Sequence, residues 1–237
     1  MPLAKLTARS LAVPAFLMGI AGAVNIMYLP LRFFVAGDAA ATASNIAANE
    51  LLYRLCVFSG LVSAIAFLVL ALGLYELFGD VDRRQARLLV ALVGISAAIT
   101  AVNLLNDSAP LILLSGADYL SAFTRSELEA LAQGFLRLRA YGININSAFW
   151  GLWLLPYGGL VWKSGFVPRF VGVCLIIGGM AYVLMSVTAI VFPAYQATLS
   201  RFALPLYAIG EVPILAWLLI RGGRVPLAGP RSVVTAA

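Results

Sequence analysis

The chain has 237 residues, of which 62% are apolar and only 11% are charged, with a net charge of +6 and a mean hydropathy of +0.98. Soluble domains carry about 25% charged residues on average, so this composition excludes an ordinary soluble fold, and its hydrophobicity excludes a disordered chain. The absence of histidine excludes histidine-ligated zinc, histidine-ligated haem and serine–histidine catalysis within the chain. These features predict an integral membrane protein.

Six continuous apolar segments predict membrane-spanning helices, in chain order at residues 11–30, 52–78, 88–106, 141–162, 168–192 and 203–220. Each segment is long enough to cross about 30 Å of hydrocarbon as a helix. The apolar residues run continuously and do not alternate with polar ones, which is not the pattern of a membrane β-barrel. We therefore expect an all-α, polytopic bundle of six transmembrane helices that forms one domain over residues 1–237.

The distribution of Lys and Arg predicts which ends of the six spans face the cytoplasm. Positive residues are most numerous in four segments, at Lys5, Arg9, Arg83, Arg84, Arg87, Lys163, Arg169, Arg221, Arg224 and Arg231. Cytoplasmic segments of membrane proteins carry an excess of Lys and Arg, so we expect both termini inside and residues 221–237 as a short cytoplasmic tail. These scattered charges predict contact with membrane lipids and no nucleic-acid partner.

Residues 31–50 connect the first two spans and contain an Ala-rich stretch, which predicts a helix leading into span 2. Glu50 and Arg54 stand four residues apart at the start of that span, and this spacing places both side chains on one face of a helix. We include both residues among the candidates for a ligand pocket. A solvated helix start is the alternative interpretation.

Residues 107–140 form the other long connection, and Thr124 and Glu127 have the spacing of a capping box. Apolar residues then recur at helical spacing, at Leu128, Leu131, Phe135 and Leu138. This pattern predicts an extracytoplasmic amphipathic helix that lies on the outer membrane surface or covers the mouth of the bundle. Asp107 and Arg139, near the two ends of the connection, are assigned to the extracytoplasmic side.

Glu211 is the one ionisable residue that this topology leaves in the middle of a span. It lies ten residues before Arg221, which places it about 15 Å from the cytoplasmic boundary of span 6. A charged residue there costs about 2.5–3.5 kcal/mol on insertion scales and is a functional candidate by default. Pro213 removes a backbone hydrogen bond close to it. We therefore predict that Glu211 lies at the floor of a polar cavity.

Other polar and aromatic side chains occupy the outer halves of the spans or the middle of span 4, at Asn25, Asn103, Asn106, Asn146, Tyr182, Tyr207, Trp150 and Trp153. With Glu211, Glu50 and Arg54, they form the predicted lining of an outward-facing pocket for a small molecule or a lipid. The alternative is that the asparagines only hydrogen-bond between helices and that the tryptophans only pack against neighbouring helices.

Motifs for catalysis or cofactor binding are missing from the sequence. It contains no Gly-rich phosphate loop, no CxxC, no GxSxG and no SxxK. The acidic residues Asp80 and Asp82 lie beside Arg83 and Arg84, which is typical of a solvated turn. We therefore expect no cofactor, no metal ion and no recognisable set of catalytic residues.

Two neighbouring stretches of span 4 and the following turn are distinctive, at residues 149–156 (FWGLWLLP) and 159–169 (GLVWKSGFVPR). Together with the Glu211 segment and with Ala41, Thr42, Asn45, Ile46, Glu50 and Arg54, they resemble a bacterial multi-pass membrane family, the domain of unknown function number four-three-eight-six. The resemblance runs from about Arg9 to Gly222. It implies a bacterial origin and a location in the cytoplasmic (inner) membrane, and it brings no established activity.

Three interpretations of function remain open after these observations. The first is a protein that binds or transports a small molecule or lipid in a pocket around Glu211. The second is an accessory or structural subunit, in which small residues such as Gly172 and Gly179 contact a second copy or another membrane protein. The third is an intramembrane enzyme acting on a lipid-like substrate, with Glu211, Asp107, Glu50 and the tyrosines as the available acids or bases.

Overall fold

The computed structural model describes residues 7–225, which fold almost entirely into helices and contain no β-strand. The main helices of this range are α1 (Ala8–Phe33), α2 (Ala39–Ala48), α3 (Glu50–Phe78), α4 (Arg83–Leu113), α5 (Arg125–Ser164), α6 (Arg169–Val191) and α7 (Pro193–Ile220). The predicted all-α fold is therefore confirmed. Lys5, Arg231 and residues 226–237 of the predicted cytoplasmic tail lie outside the described residues.

Within residues 7–225, five helices are long and apolar enough to cross a membrane, namely α1, α3, α4, α6 and α7. They correspond to five of the six predicted spans, and the predicted span 168–192 extends one residue beyond α6 at each end. The remaining predicted span, 141–162, lies inside α5, where Asn, Trp, Tyr, Pro and Gly residues interrupt the aliphatic sequence and lower its hydropathy. Five spans are thus supported by length and composition, and the sixth stays a prediction.

Helix α5 begins at the predicted capping box, which is confirmed. The Thr124 hydroxyl oxygen accepts a hydrogen bond from the Glu127 amide at 3.3 Å, and the Glu127 carboxylate accepts one from the Thr124 amide at 2.7 Å. The helix then continues without a break for 40 residues to Ser164. The predicted amphipathic helix and the predicted span 4 are therefore one continuous element.

Two ion pairs hold α4 and α5 side by side in antiparallel orientation. At one end, Asp82 caps the first turn of α4 and its carboxylate accepts a hydrogen bond from Lys163 Nζ at 2.8 Å. That hydrogen bond holds the pKa of Asp82 below its usual range. At the other end, Arg139 of α5 forms an ion pair with Asp107 of α4. The two helices therefore run together over the whole interval between these pairs.

Glycines bring α5 and α6 into backbone contact. A Cβ atom on Gly158 would lie 2.6 Å from the carbonyl oxygen of Gly172, and a Cβ on Gly179 would lie 2.8 Å from the carbonyl oxygen of Gly151. Such contacts are typical of membrane helices that associate through small residues. Gly172 and Gly179 are buried against α5, so the prediction that they form a face for a partner protein is wrong.

Two groups of buried side chains fill opposite parts of the bundle. The first core cluster lies toward the Asp82–Lys163 end and includes Phe67, Leu74, Phe78, Trp153, Tyr157, Leu160 and Leu218. The second core cluster lies beside the Asp107–Arg139 pair and consists of Leu29, Phe33, Ile46, Tyr53, Cys56 and Leu136. Helix α2 supplies Ile46 to the second cluster and thereby covers that end of the bundle.

Candidate functional site

A cavity of about 550 Å³ lies among α1, α3, α4, α5, α6 and α7. It borders both core clusters, because Phe67 and Trp153 of the first cluster line it and the lining residue Asn25 contacts Cys56 of the second. Its polar lining residues are Asn25, Ser63, Thr100, Asn103, Asp107, Asn146, Tyr182, Tyr207 and Glu211. Most of the other lining residues are apolar, so the cavity suits a largely apolar molecule with a few polar contacts.

Glu211 reaches the cavity from α7 and contacts α6 through Tyr182. Gly178 of α6 and Gly210 of α7 let these helices approach closely, since a Cβ on Gly178 would lie 2.7 Å from Gly210 Cα. The Tyr182 hydroxyl donates a hydrogen bond to Glu211 Oε1 at 2.9 Å. No Lys or Arg in the described part of the chain pairs with this carboxylate. Glu211 is thus held by a neutral donor and has no cationic partner there.

Helix α7 continues without interruption through Pro205 and Pro213. The sequence predicted a locally weakened stretch around Glu211, and the structure keeps that stretch helical. Pro213 cannot donate a backbone hydrogen bond. At this level α7 packs closely against α6 through Gly210 and Gly178. Glu211 is therefore presented from a regular helical face.

Aromatic rings form one wall of the cavity around Glu211. The rings of Tyr182 and Tyr207 stack with centroids 3.6 Å apart, and Trp150 meets Tyr182 edge-to-face at 6.2 Å. Trp153 meets Phe67 edge-to-face at 5.0 Å. Trp153 thus both packs in the first core cluster and lines the cavity. This wall gives the cavity an aromatic, polarisable surface next to the Glu211 carboxylate.

A buried ion pair lies at the other side of the cavity. Asp107 and Arg139 form this pair with side chains only 2% and 3% exposed. Asn25 Nδ2 donates a hydrogen bond to Asp107 Oδ2 at 3.2 Å, and the Tyr53 hydroxyl donates one to the Asp107 carbonyl oxygen at 2.7 Å. These bonds join α1, α3, α4 and α5 at a single point.

A local distortion of α1 makes part of this network possible. Residues Val24–Tyr28 form a π-helical turn, in which the Leu29 amide donates to the carbonyl oxygen of Val24. If this i to i−5 pattern continued by one residue, residue 30 would donate to the Asn25 carbonyl oxygen. Residue 30 is Pro30, which has no amide proton. The Asn25 carbonyl oxygen is therefore left for Arg139 Nη2, which donates to it at 2.6 Å.

Two further amide side chains connect α4 and α5 along the cavity. Asn103 Nδ2 donates to the Arg139 carbonyl oxygen at 3.0 Å, and Asn146 Nδ2 donates to Thr100 Oγ1 at 2.8 Å. The buried Oδ1 atom of Asn146 has no hydrogen-bond partner within residues 7–225. One face of α4 thus presents Thr100, Asn103 and Asp107 to the cavity at helical spacing.

The structure brings eight of the eleven predicted pocket residues into the cavity lining, namely Asn25, Asn103, Asn146, Trp150, Trp153, Tyr182, Tyr207 and Glu211. Glu50 and Arg54 do not line it. They pair with each other at 2.6 Å, with both side chains 55% exposed, at the start of α3. Asn106 does not line it either, and its amide nitrogen donates to Asn103 Oδ1 at 2.9 Å.

Asp107 and Arg139 were not among the predicted pocket residues, although the enzyme interpretation counted Asp107 among the available acids. The sequence assigned both to the connection between spans 3 and 4, whereas the structure places them inside α4 and α5 with buried side chains. A signal was present in the sequence, since Thr100, Asn103 and Asp107 follow helical spacing and extend the polar face of span 3 by one turn. Pairing Asp107 with Arg139 required the fold of α5.

The cavity reaches the outer surface of the bundle between α1 and α7. These helices contact each other at the end that carries Arg9 and Ile220, where Arg9 Nη2 donates to the Ile220 carbonyl oxygen at 3.2 Å. Farther along, each helix contributes exposed lining residues at four-residue spacing, namely Gly19, Ala23 and Met27 of α1 and Leu204, Ala208 and Val212 of α7. We call these six residues the α1–α7 mouth. Its Gly and Ala residues are too small to fill the gap.

Comparison with known proteins identifies a family for this part of the chain. The model of the family described as "Domain of unknown function (DUF4386)" matches residues 14–222. The matched region contains every residue that lines the cavity, together with the Asp107–Arg139 pair. The searches of curated proteins and of solved structures found no match.

Proposed function

The chain belongs to the family Domain of unknown function (DUF4386), and from this premise we propose that it is a bacterial multi-pass membrane protein that binds a small, mostly apolar molecule or lipid. The observation that carries the proposal is the cavity of about 550 Å³ with Glu211 in its wall. Ligand sites of proteins have about this volume and combine an apolar lining with a few polar groups.

The α1–α7 mouth supports access from the membrane. Met27, Leu204 and Val212 are 51%, 64% and 57% exposed, and apolar residues exposed on this scale in a membrane bundle contact lipid chains. A molecule dissolved in the bilayer reaches such a mouth without crossing water. The second core cluster covers the other end of the cavity, so lateral access replaces the outward-facing opening that the sequence suggested.

We propose further that α5 crosses the membrane as a sixth span. Between Arg139 and Lys163 the helix is about 36 Å long, which exceeds the roughly 30 Å of the hydrocarbon core. Arg139 and Lys163, which bound this segment, pair with Asp107 and Asp82 toward opposite ends of α4. Helix α4 is itself long and apolar enough to span the membrane. A helix that runs beside a span over its whole length also crosses the membrane. With six spans, both termini lie on the same side, and the excess of Lys and Arg places that side in the cytoplasm of a bacterial cell.

Cysteine labelling tests this topology. In a background in which Cys56 and Cys174 are replaced by alanine, Ser126→Cys and Pro168→Cys place single thiols at exposed positions before and after the proposed sixth span. We expect a membrane-impermeant maleimide to label Ser126→Cys in intact cells and Pro168→Cys only after permeabilisation. Labelling of both positions from the same side would contradict the sixth span.

Blocking the mouth tests the binding proposal. Gly19 lies in the mouth, and no atom would come within 4 Å of a Cβ placed on it. We expect Gly19→Phe to leave the protein folded and to lower the amount of co-purifying lipid or small molecule at least about tenfold, a loss of about 1.4 kcal/mol of binding free energy. Native mass spectrometry of the detergent-solubilised protein measures this occupancy.

Gly94→Phe is the matched control for this experiment. Gly94 also lies in a candidate span, in α4, and a Cβ on it would meet no atom within 4 Å, but it does not line the cavity. We expect this variant to retain the bound molecule. Equal occupancy in the wild type and in both variants would overturn the proposal that the cavity binds a ligand through the α1–α7 mouth.

A further inference from the structure

We infer that the cavity selects a lipophilic cation, an apolar molecule that carries an amine or a quaternary onium group. This inference rests on the proposed ligand-binding function and names the chemical class of the ligand. It follows from three features of the cavity, which are a carboxylate that pairs with no described Lys or Arg, an aromatic wall and the position of Glu211 beside the mouth.

The balance of charge in the cavity is the first feature. Two carboxylates line it, those of Asp107 and Glu211. Arg139 neutralises Asp107 in a buried pair, whereas Glu211 receives only the hydroxyl of Tyr182 and pairs with no described Lys or Arg. A carboxylate in the middle of a membrane is costly unless it is paired. A cationic ligand supplies the partner that the described chain does not.

The aromatic wall is the second feature, because it suits the same class of ligand. Trp150, Tyr182 and Tyr207 line the same cavity as Glu211, and the Tyr182 ring contacts both of the other rings. The faces of Trp and Tyr rings attract ammonium groups within about 6 Å through the negative potential of the π electrons. Aromatic rings combined with one carboxylate bind a large, weakly hydrated cation better than a neutral or anionic molecule of the same shape.

The place of Glu211 on α7 is the third feature. Ala208 lies one turn before it and Val212 directly after it, and both belong to the α1–α7 mouth. A molecule that enters between α1 and α7 therefore meets the carboxylate at the inner edge of the mouth. Its apolar body then occupies the part of the cavity lined by Leu104, Ile143 and Phe67.

An isosteric pair of ions tests the inference. Tetraphenylphosphonium and tetraphenylborate have nearly the same size and shape and opposite charges. We expect equilibrium dialysis with the purified full-length protein, corrected for protein-free micelles, to show saturable binding of tetraphenylphosphonium at one site and at least about tenfold weaker binding of tetraphenylborate. This comparison uses the wild-type protein and does not depend on the folding of any variant.

Two glutamate variants assign the effect to Glu211. We expect Glu211→Gln to weaken tetraphenylphosphonium binding at least about tenfold. The control Glu50→Gln removes an exposed glutamate outside the cavity and is expected to change binding by less than about twofold. Circular dichroism and size-exclusion chromatography establish that each variant is folded.

The possible outcomes separate this inference from the proposed function. Equal binding of both ions to the wild type, with loss of both in Gly19→Phe, would retain the ligand-binding function and overturn the cation preference. Unchanged tetraphenylphosphonium binding in a folded Glu211→Gln variant would also overturn the preference. Absence of binding by either ion, together with unchanged lipid occupancy in Gly19→Phe, would overturn both proposals.

Discussion

Replacing Arg139 by leucine is expected to lower the free energy of unfolding by about 3–5 kcal/mol, because the substitution leaves the Asp107 carboxylate buried without its cation. Asp107 is buried and has no second basic partner in the described chain. The substitution also leaves the Asn25 carbonyl oxygen without the 2.6 Å hydrogen bond that Arg139 donates. Unfolding in mixed micelles with increasing SDS, followed by circular dichroism, measures the change.

An exposed ion pair on the same helix provides the matched control for Arg139. Arg125 pairs with Glu129 at 2.6 Å, and its side chain is 61% exposed, so Arg125→Leu is expected to cost less than about 1 kcal/mol. The double variant Asp107→Leu with Arg139→Leu removes both buried charges and is expected to recover part of the stability that Arg139→Leu loses. Equal effects of Arg139→Leu and Arg125→Leu would contradict the importance of the buried pair.

Replacing Gly158 by leucine is expected to have an effect of similar size, a loss of about 3 kcal/mol or more, because the α5–α6 contact has no room for a side chain. A Cβ there would lie 2.6 Å from the Gly172 carbonyl oxygen and 2.7 Å from Ile176 Cγ1. The oxygen belongs to a helix backbone, so it can move only if α6 moves with it. The same SDS titration reports the loss of stability.

The contrast with Gly94→Leu distinguishes steric conflict from a general effect of glycine replacement. No atom would approach within 4 Å of a Cβ on Gly94, and glycine is a poor helix former. Gly94→Leu is therefore expected to leave stability unchanged or to raise it by up to about 1 kcal/mol. If Gly158→Leu were as stable as Gly94→Leu, the backbone contact between α5 and α6 would not be a main source of stability.

Close packing of α5 and α6 also bears on the accessory-subunit interpretation. Gly172 and Gly179, which the sequence offered as a face for a partner, contact α5 of the same chain. Their small size serves the fold of one molecule. Neither glycine lines the cavity that opens between α1 and α7.

The sequence by itself determined the elements of this protein. Continuous apolar stretches located the five helices of residues 7–225 that are long and apolar enough to cross a membrane, since hydropathy depends only on neighbouring residues. The capping box at Thr124 marked the start of α5, because its hydrogen bonds join residues three positions apart. Counting residues from Arg221 singled out Glu211 as a residue deep within its span. Each of these conclusions depends on local spacing along one helix.

Only the tertiary structure decided how these elements combine. Asp107 lies 82 positions and Arg139 lies 114 positions after Asn25 in the chain, yet both side chains contact Asn25. The π-helical turn and Pro30 leave the Asn25 carbonyl oxygen free to accept a hydrogen bond from Arg139. Tyr182 reaches Glu211 because Gly178 and Gly210 let α6 and α7 pack closely. Contacts between distant residues depend on which helix faces meet and at what distance. Periodicity within one helix does not show which helix faces meet or how far apart they lie.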